Sequence, residues 1–246
     1  LNDVDVPRFL DFWGPDTISP QNVIDLLVEE DGKGLDLPRK KIWIFPTPRP
    51  HQLLCNATRV LGRDGRDLDV TDPADHTEAE MAGRDQAADY AEFLRRRVPG
   101  CERAYLSDTG VEVGIRQTRT VTGVERLTNE DVLGKRKRTD GIARCPWPIE
   151  LHYGAKPKVE WLYDDYYEIP YGALVPASGE NLIVAGRCLS AEHEALASAR
   201  VTAQCFAYGH AAALATALSL ESGRPYREIE GAEVRAALNA EGARLD

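Results

Sequence analysis

The sequence predicts an α/β protein, α+β in detail, in which a mixed sheet packs against flanking helices. Three observations predict this class. Two segments show the helical spacing of apolar residues, and two short β-branched and aromatic runs are joined by a proline-rich turn. A third, apolar run of strand length precedes an alanine-rich helical stretch.

Composition restricts the classes of function. The 246 residues contain 30 Lys and Arg against 40 Asp and Glu, a net charge of −10. Such a chain lacks the basic field that attracts nucleic acid, and no apolar run reaches the ~18 residues of a membrane span. The five cysteines form no C-x-x-C pair, which predicts reduced thiols, no disulfide framework and no metal site. We expect a cytoplasmic protein.

The first predicted elements are a helix and a hairpin. The helix covers Pro20–Glu30, with Ser19 as its N-cap. Strands are predicted over 41–45 and 53–60. Their connection over 46–50 contains three prolines, which do not fit a central strand.

A second helix and a strand pair follow. The helix is predicted over 74–98, with Thr77 and Glu80 at capping-box spacing. Pro99-Gly100 ends it. Residues 101–124 alternate in polarity and predict two paired strands.

The most specific local pattern lies near the C-terminus. The apolar run Asn181–Gly186 predicts a buried strand, and a small-residue loop leads into a long helix over about 195–220. A helix N-terminus presents free N–H groups and favours an anion or a reducible carbonyl. Ordinary helix–sheet packing explains the same spacing, so the pattern alone leaves both readings open.

No dinucleotide cradle is visible in the sequence. Gly32-Lys33-Gly34 comes nearest to a G-x-G-x-x-G unit, and no strand pattern precedes it. We therefore expect this chain alone to lack a pyrophosphate-binding turn.

The chain carries an ordered set of motifs. The C-terminal motifs are Tyr167–Pro176, Asn181–Ser190, His193–Ala195, Ser198–Arg200 and Gly209–Ala212. The upstream motifs are Asn56–Arg59, Thr77–Glu80, Arg84–Gln86, Pro99-Gly100, Gly114–Arg119, Gly123, Asp131, Asp140–Ala143 and Pro148–His152. Together they resemble the FAD-dependent oxidoreductase family, the flavoproteins with two dinucleotide-binding domains. The resemblance covers nearly the whole chain, and its specificity comes from the order of the motifs.

The resemblance implies a C-terminal portion that lacks the family's N-terminal Rossmann unit. Residues 1–125 would form an incomplete substrate-type domain, and residues 126–246 would complete an FAD-binding domain. The implied activity is hydride transfer from an unknown small organic substrate to flavin, with an external acceptor. The Rossmann unit would come from a partner chain or from a missing N-terminal half.

The same resemblance assigns candidate residues. The Gly186–Arg187 turn would pass the flavin, and the helix start near Ser198 would face its pyrimidine edge. The cofactor-binding candidates are Gly186, Arg187, Ser190, Ser198, Arg200, Val201 and Gly209. The catalytic candidates are His152, Arg116 and Arg119, with His152 preferred for acid–base work because histidine titrates near neutral pH.

The sequence departs from the family pattern at three positions. The arginine expected after Ile-Pro-Tyr is Gly172, the last glycine of Gly-x-Ala-Ala-Gly is Ala213, and the aspartate before the histidine motif is Glu150. Two alternatives therefore remain: a non-catalytic or degenerate subunit that binds a flavoprotein partner, and a small-molecule or sugar module built on the aromatic cluster at 161–171.

Overall fold

The computed structural model describes residues 1–151 and 158–245 and divides into two compact units. Unit 1 is Leu1–Ile115 and unit 2 is Arg116–Asp246. Each combines helices with two-stranded antiparallel sheets, which confirms the α+β class. The predicted larger mixed sheet is wrong, because the described strands pair only in twos. The division into domains 1–125 and 126–246 stays a prediction.

Unit 1 is built from three helices and one hairpin. Its elements are α1 (Val6–Trp13), α2 (Gln21–Glu30), β1 (Trp43–Pro46), β2 (Leu53–Asn56) and α3 (Pro73–Arg97). The core contains Phe9 stacked on Trp13, with Leu27 and Phe93 fully buried. The apolar faces of the helices thus pack together around one hydrophobic core.

The described residues of unit 2 form two further two-stranded sheets and four α-helices. Its helices are α4 (Asn129–Leu133), α5 (His193–Ala199), α6 (Thr202–Ser222) and α7 (Gly231–Ala240), with 3₁₀ turns at Tyr171–Ala173 and Tyr226–Glu228. Its strands are β3 (Gly141–Cys145), β4 (Ile149–Leu151), β5 (Lys158–Glu160) and β6 (Tyr167–Pro170), paired β3 with β6 and β4 with β5. Helices α6 and α7 pack on β3.

The predicted hairpin of unit 1 is confirmed, although its second strand is shorter. Ile44 pairs with Cys55, and the pairing ends at Asn56, so the prediction of strand to residue 60 is wrong. The predicted N-cap is also wrong. The Ser19 hydroxyl accepts from Ile42 N–H and donates to the Lys40 carbonyl, so it ties α2 to the hairpin instead of capping the helix.

The long helix of unit 1 is confirmed over Pro73–Arg97, with a different cap. Asp72 is the N-cap and accepts from Ala74 N–H at 2.8 Å. Thr77 instead donates to the Pro73 carbonyl inside the first turns, so the predicted Thr77–Glu80 capping box is wrong. Three arginines lie in the last turn, where their positive charge interacts favourably with the negative end of the helix dipole.

Two predicted strand regions do not form strands. Residues 101–124 make only isolated bridges, such as Tyr105 with Asn2 and Gly123 with Pro176. The run 181–186 is irregular, and its one described ladder-like bond joins Val184 N–H to the Leu174 carbonyl. An apolar run becomes a strand only beside a partner strand, and none of the described strands lies next to these two.

The predicted helix over 195–220 is two helices. Helix α5 ends at Ala199 and α6 begins at Thr202. No helix in the described ranges 1–151 and 158–245 is both long and apolar enough to cross a membrane.

Candidate functional site

A new helix start lies between α5 and α6. Arg200 follows α5 with helical dihedrals, whereas Val201 is extended at φ −69° and ψ 151°. No side chain caps this end, and an early bond of α6 joins Cys205 N–H to the Val201 carbonyl. The preceding N–H groups therefore have no intrahelical acceptor, and they carry the positive end of a 21-residue helix.

Two buried polar atoms at this helix start have no hydrogen-bond partner among the residues described. They are Nε of Arg200 and Oε1 of Gln204, the third residue of α6. Gln204 is only 6% exposed. An unsatisfied buried polar group costs about 1–3 kcal/mol, and a bound water, ion or ligand removes that cost. Together they offer a donor and an acceptor to a bound molecule.

The segment that begins unit 2 runs beside this helix start. The Gln117 side-chain amide donates to the His193 carbonyl at 2.8 Å, and Val121 N–H donates to the Cys188 carbonyl at 2.9 Å. The first bond links the residue after Arg116 to the first residue of α5. The second links Val121 to the residue after Arg187.

Two further guanidinium groups act on that of Arg200. Burial lowers the pKa of Arg200 to about 10, and repulsion from Arg116 and then Arg187 acts in the same direction, while Glu150 opposes it. A group with a pKa near 10 is still protonated at neutral pH. The helix start therefore lies in a strongly positive environment.

These arginines are not neutralised within the part of the chain that the structure describes. Arg116, Arg187 and Arg200 form no salt bridge there, although Arg200 donates to the Glu150 carbonyl at 3.4 Å. Elsewhere guanidinium groups pair with carboxylates, as Arg224 does with Glu233 at 2.7 Å. An unpaired guanidinium beside an uncapped helix start favours an anion there.

The loop before α5 leaves open space at Gly186. Its φ of +102° is one that side-chain-bearing residues rarely adopt, and no atom lies within 4 Å of where a Cβ would sit. Gly209, on α6, is exposed and equally open. Both glycines leave room for a flat group to approach the backbone.

Two of the predicted contacts are buried in protein. The Ser198 hydroxyl lies 2.8 Å from the Tyr167 hydroxyl and donates to the Trp147 carbonyl at 2.6 Å. Ser190 is 3% exposed, and its backbone bonds to Ala173 and Leu127. The Ser198 hydroxyl therefore anchors the end of α5 in the core. The roles of both serines towards a cofactor stay predictions.

Two catalytic candidates remain. Arg119 is exposed and makes no hydrogen bond or ion pair with a residue that the structure describes. His152 lies outside the described residues. Their catalytic roles stay predictions.

Sequence reasoning missed Gln204 and Gln117. A signal for Gln204 was available, because it is a polar residue in the first turn of a helix that is otherwise rich in alanine. Gln117 had no such signal, since its contact with His193 spans 76 residues.

Unit 1 has a cavity of its own, of about 580 Å³. Its wall on α3 includes four small residues spaced four apart, namely Ala79, Gly83, Ala87 and Ala91. The segment 106–114 forms the facing wall, which Glu80 holds through Val113 N–H and Arg84 holds through the Thr109 hydroxyl at 2.7 Å. Concave sites of this size suit small molecules.

The fold and the site define an α+β protein whose second unit presents a cationic, donor-rich helix start. A family model described as FAD dependent oxidoreductase matches residues 1–238. The chain therefore belongs to the FAD-dependent oxidoreductase family, which confirms the resemblance seen in its motifs. Comparison with curated proteins and with solved structures gives no match.

The residues at the start of α6 fit the cofactor that the family name implies. The pyrimidine edge of an isoalloxazine carries several acceptor atoms and one N–H donor. Free backbone N–H groups and Arg200 Nε match the acceptors, and Gln204 Oε1 matches the donor. The unpaired donor and acceptor thus have the chemical complement that this ring supplies.

Proposed function

We propose that this chain is the C-terminal portion of an FAD-dependent oxidoreductase that oxidises a small organic substrate. Membership of the family supports the cofactor and the reaction class. The observation that carries the proposal is the unpaired donor and acceptor, Arg200 Nε and Gln204 Oε1, beside the uncapped start of α6.

In this proposal the α6 start holds the electron-rich edge of the flavin. The first-turn N–H groups, Arg200 and Gln204 would bind it, and the open turn at Gly186 and Arg187 would lie along it. When bound, FAD supplies the two-electron chemistry by taking a hydride from the substrate. The protein contributes fixed donors and positive charge where negative charge develops, and such preorganised groups need no rearrangement during the reaction.

The catalytic side chains would act on the substrate. Arg116 and Arg119 would orient it, and His152 would hold or release a proton at an imidazole nitrogen. Histidine suits this task because its ordinary pKa lies close to neutral pH.

Flavin binding tests the proposal. The chain is purified alone and after co-expression with a chain that carries a dinucleotide-binding Rossmann unit, and the absorbance of retained flavin is measured. We expect a yellow complex with about one flavin per chain in at least one preparation. Colourless protein in both preparations, with no flavin taken up on addition of FAD, contradicts the proposal.

A partner-binding role is the second candidate, and the exposed face of α6 favours it. Phe206 and Leu220 are 76% and 80% exposed, and Ala213 and Ala217 lie exposed between them. The described face contains no charged side chain from Thr202 to Leu220. An apolar helix face of this length is typical of a surface that another protein element covers.

The two candidates give different results with Gln204→Met. If the chain only binds a partner, this variant has no effect on any flavin bound by the complex, whereas Phe206→Glu loses the partner. If the chain is part of the redox site, Gln204→Met reduces the flavin content. Met81→Glu, at a 57% exposed position of unit 1, is the matched control.

A further inference from the structure

Three parts of the chain supply most of the wall of the unit 1 cavity. They are helix α3, the segment 53–58 and the segment 106–114. The cavity measures about 580 Å³, and its surface is largely apolar. Every residue that lines it belongs to unit 1. An inference about this cavity is therefore independent of the flavin site proposed in unit 2.

Two long side chains of α3 connect the helix to the segment 106–114. Glu80 accepts from Val113 N–H, and Arg84 donates to the Thr109 hydroxyl at 2.7 Å. Glu80 and Arg84 also form an ion pair with each other at 2.8 Å. Gly83, which lies between them on the helix and lines the cavity, has no side chain to fill the space that these contacts span.

The segment 53–58 is held by separate bonds. Most of it belongs to β2, which pairs with β1. Just beyond it, Gln86 on α3 accepts from Arg59 N–H at 3.0 Å. The Tyr90 hydroxyl donates to the Arg39 carbonyl at 2.8 Å, so its hydrogen bond is made within the protein and its ring adds apolar surface to the cavity. With its walls bonded in this way, the cavity is preformed, and a ligand would not have to order them.

Apolar side chains at this cavity are left partly uncovered. Leu54 and Leu106 both line it, and they are 62% and 39% exposed. Covering apolar surface contributes about 25 cal/mol for each Å² removed from water. The cavity therefore favours a ligand with an apolar ring or chain.

The charged groups that line the cavity leave an excess of carboxylate. They are Glu80, Arg84, Asp108 and Glu112. Glu80 and Arg84 compensate each other through their ion pair. Asp108 and Glu112 are exposed, and neither forms an ion pair with a residue that the structure describes. This part of the wall therefore favours a cation over an anion, by a modest amount because water and salt screen exposed charges.

We propose that unit 1 binds a small amine in this cavity. Its ring or chain lies against the apolar walls, and its ammonium group lies beside Asp108 and Glu112. The two carboxylates exclude a small anion of the same shape by like-charge repulsion. This site goes beyond the proposed function and does not depend on it, since it uses no residue of unit 2.

The test is an NMR titration of the full chain with phenylbutylamine and with phenylbutyrate, which has the same ring and a chain of equal length but the opposite charge. We expect the amine to bind at least about tenfold more tightly and to shift the methyl signals of Ala87 and Leu106. The preference should shrink between about 50 and about 500 mM salt. Tighter binding of phenylbutyrate, or no binding of phenylbutylamine, overturns the inference.

A variant that fills the cavity locates the binding site. Ala87→Phe places a ring in the cavity and should weaken amine binding at least about tenfold. Ala88→Phe is the matched control, because Ala88 is exposed on the same helix and does not line the cavity. Thermal melting shows whether each variant is folded. Equal affinities of the two folded variants for the amine overturn the inference.

A second pair of variants tests the charge without changing the shape. Glu112→Gln should weaken amine binding about threefold, as expected for one exposed ionic contact, and should reduce the preference over phenylbutyrate. Asp85→Asn removes the same charge from an exposed position of α3 that does not line the cavity, and it should leave the affinity unchanged. Equal effects of these two substitutions overturn the assignment of an amine.

Discussion

The hydroxyl oxygens of Tyr167 and Ser198 lie 2.8 Å apart in the buried core of unit 2. Ser198 donates its own proton to the Trp147 carbonyl at 2.6 Å, so Tyr167 is the donor in the pair. The bond joins β6 to α5 two residues before Arg200. The position of the cationic helix start therefore depends on a hydrogen-bond relay in the core.

Ser198→Ala should destabilise the protein by about 1–3 kcal/mol, because it leaves the Tyr167 hydroxyl and the Trp147 carbonyl without their partner. Urea unfolding measures the change. Ser222→Ala is the control, since Ser222 bonds to Leu218 at the exposed end of α6 and its loss should cost less than about 0.5 kcal/mol. Equal effects of the two variants would show that the relay contributes nothing.

Glu168 forms the centre of a buried ionic contact in unit 2. It is 2% exposed, accepts from Arg138 N–H at 2.6 Å and pairs with Arg235 at 3.2 Å. Glu168→Ala should cost about 3–5 kcal/mol, because it removes a buried carboxylate that Arg138 N–H and the Arg235 guanidinium both contact. Glu92→Ala breaks the exposed pairs with Arg95 and Arg96 and should cost no more than about 1 kcal/mol. A small loss for Glu168→Ala would contradict this account.

Gly100→Ala should destabilise unit 1 more than Gly65→Ala does. The residue has φ +91°, and an added Cβ would lie 2.6 Å from the Asp5 carbonyl oxygen and 2.7 Å from Phe9 N. Both neighbours are backbone atoms that cannot rotate away. Gly65→Ala, at φ +81° in open space, shows the cost of the dihedral alone, about 1 kcal/mol. Thermal melting should give a clearly larger loss for Gly100→Ala, and equal losses would refute the close approach.

The Arg224–Glu233 pair predicts a pH dependence of stability. Bidentate hydrogen bonds from Arg224, at 3.0 and 2.7 Å, lower the pKa of Glu233 to about 2. A depressed carboxylate pKa stabilises the fold above the unfolded pKa, and this contribution disappears as pH falls from about 4.5 towards 2. The free energy of unfolding of Glu233→Gln should fall less steeply over that window than that of the wild type. Parallel curves would rule out the linkage.

Local sequence patterns predicted the elements whose stability is local. The helix ending at Glu30, the helix over Pro73–Arg97 and the pairing of Ile44 with Cys55 all follow from apolar spacing and from proline and glycine stops. The resemblance to the family came from motif order alone. These features need no knowledge of distant contacts.

The missed features depend on contacts between distant residues. An apolar run such as 181–186 has the composition of a strand, but only a neighbouring strand can make it one. The break at Arg200–Val201 is hidden in a helical pattern, because the extended dihedrals of Val201 depend on how α5 is anchored by Ser198. The segment 117–121 is likewise placed by distant contacts, from the Gln117 side chain to the His193 carbonyl and from Val121 N–H to the Cys188 carbonyl.

The affinity of Gln204→Met for FAD, relative to that of the wild type, tests whether the start of α6 binds the flavin. Methionine has a similar length and removes a buried oxygen that has no described partner, so the variant should be at least as stable as the wild type. If Gln204 Oε1 accepts from the flavin, quenching of flavin fluorescence should show an affinity at least about tenfold weaker at unchanged stability. An unchanged affinity for FAD would contradict the assignment of the α6 start as the flavin site.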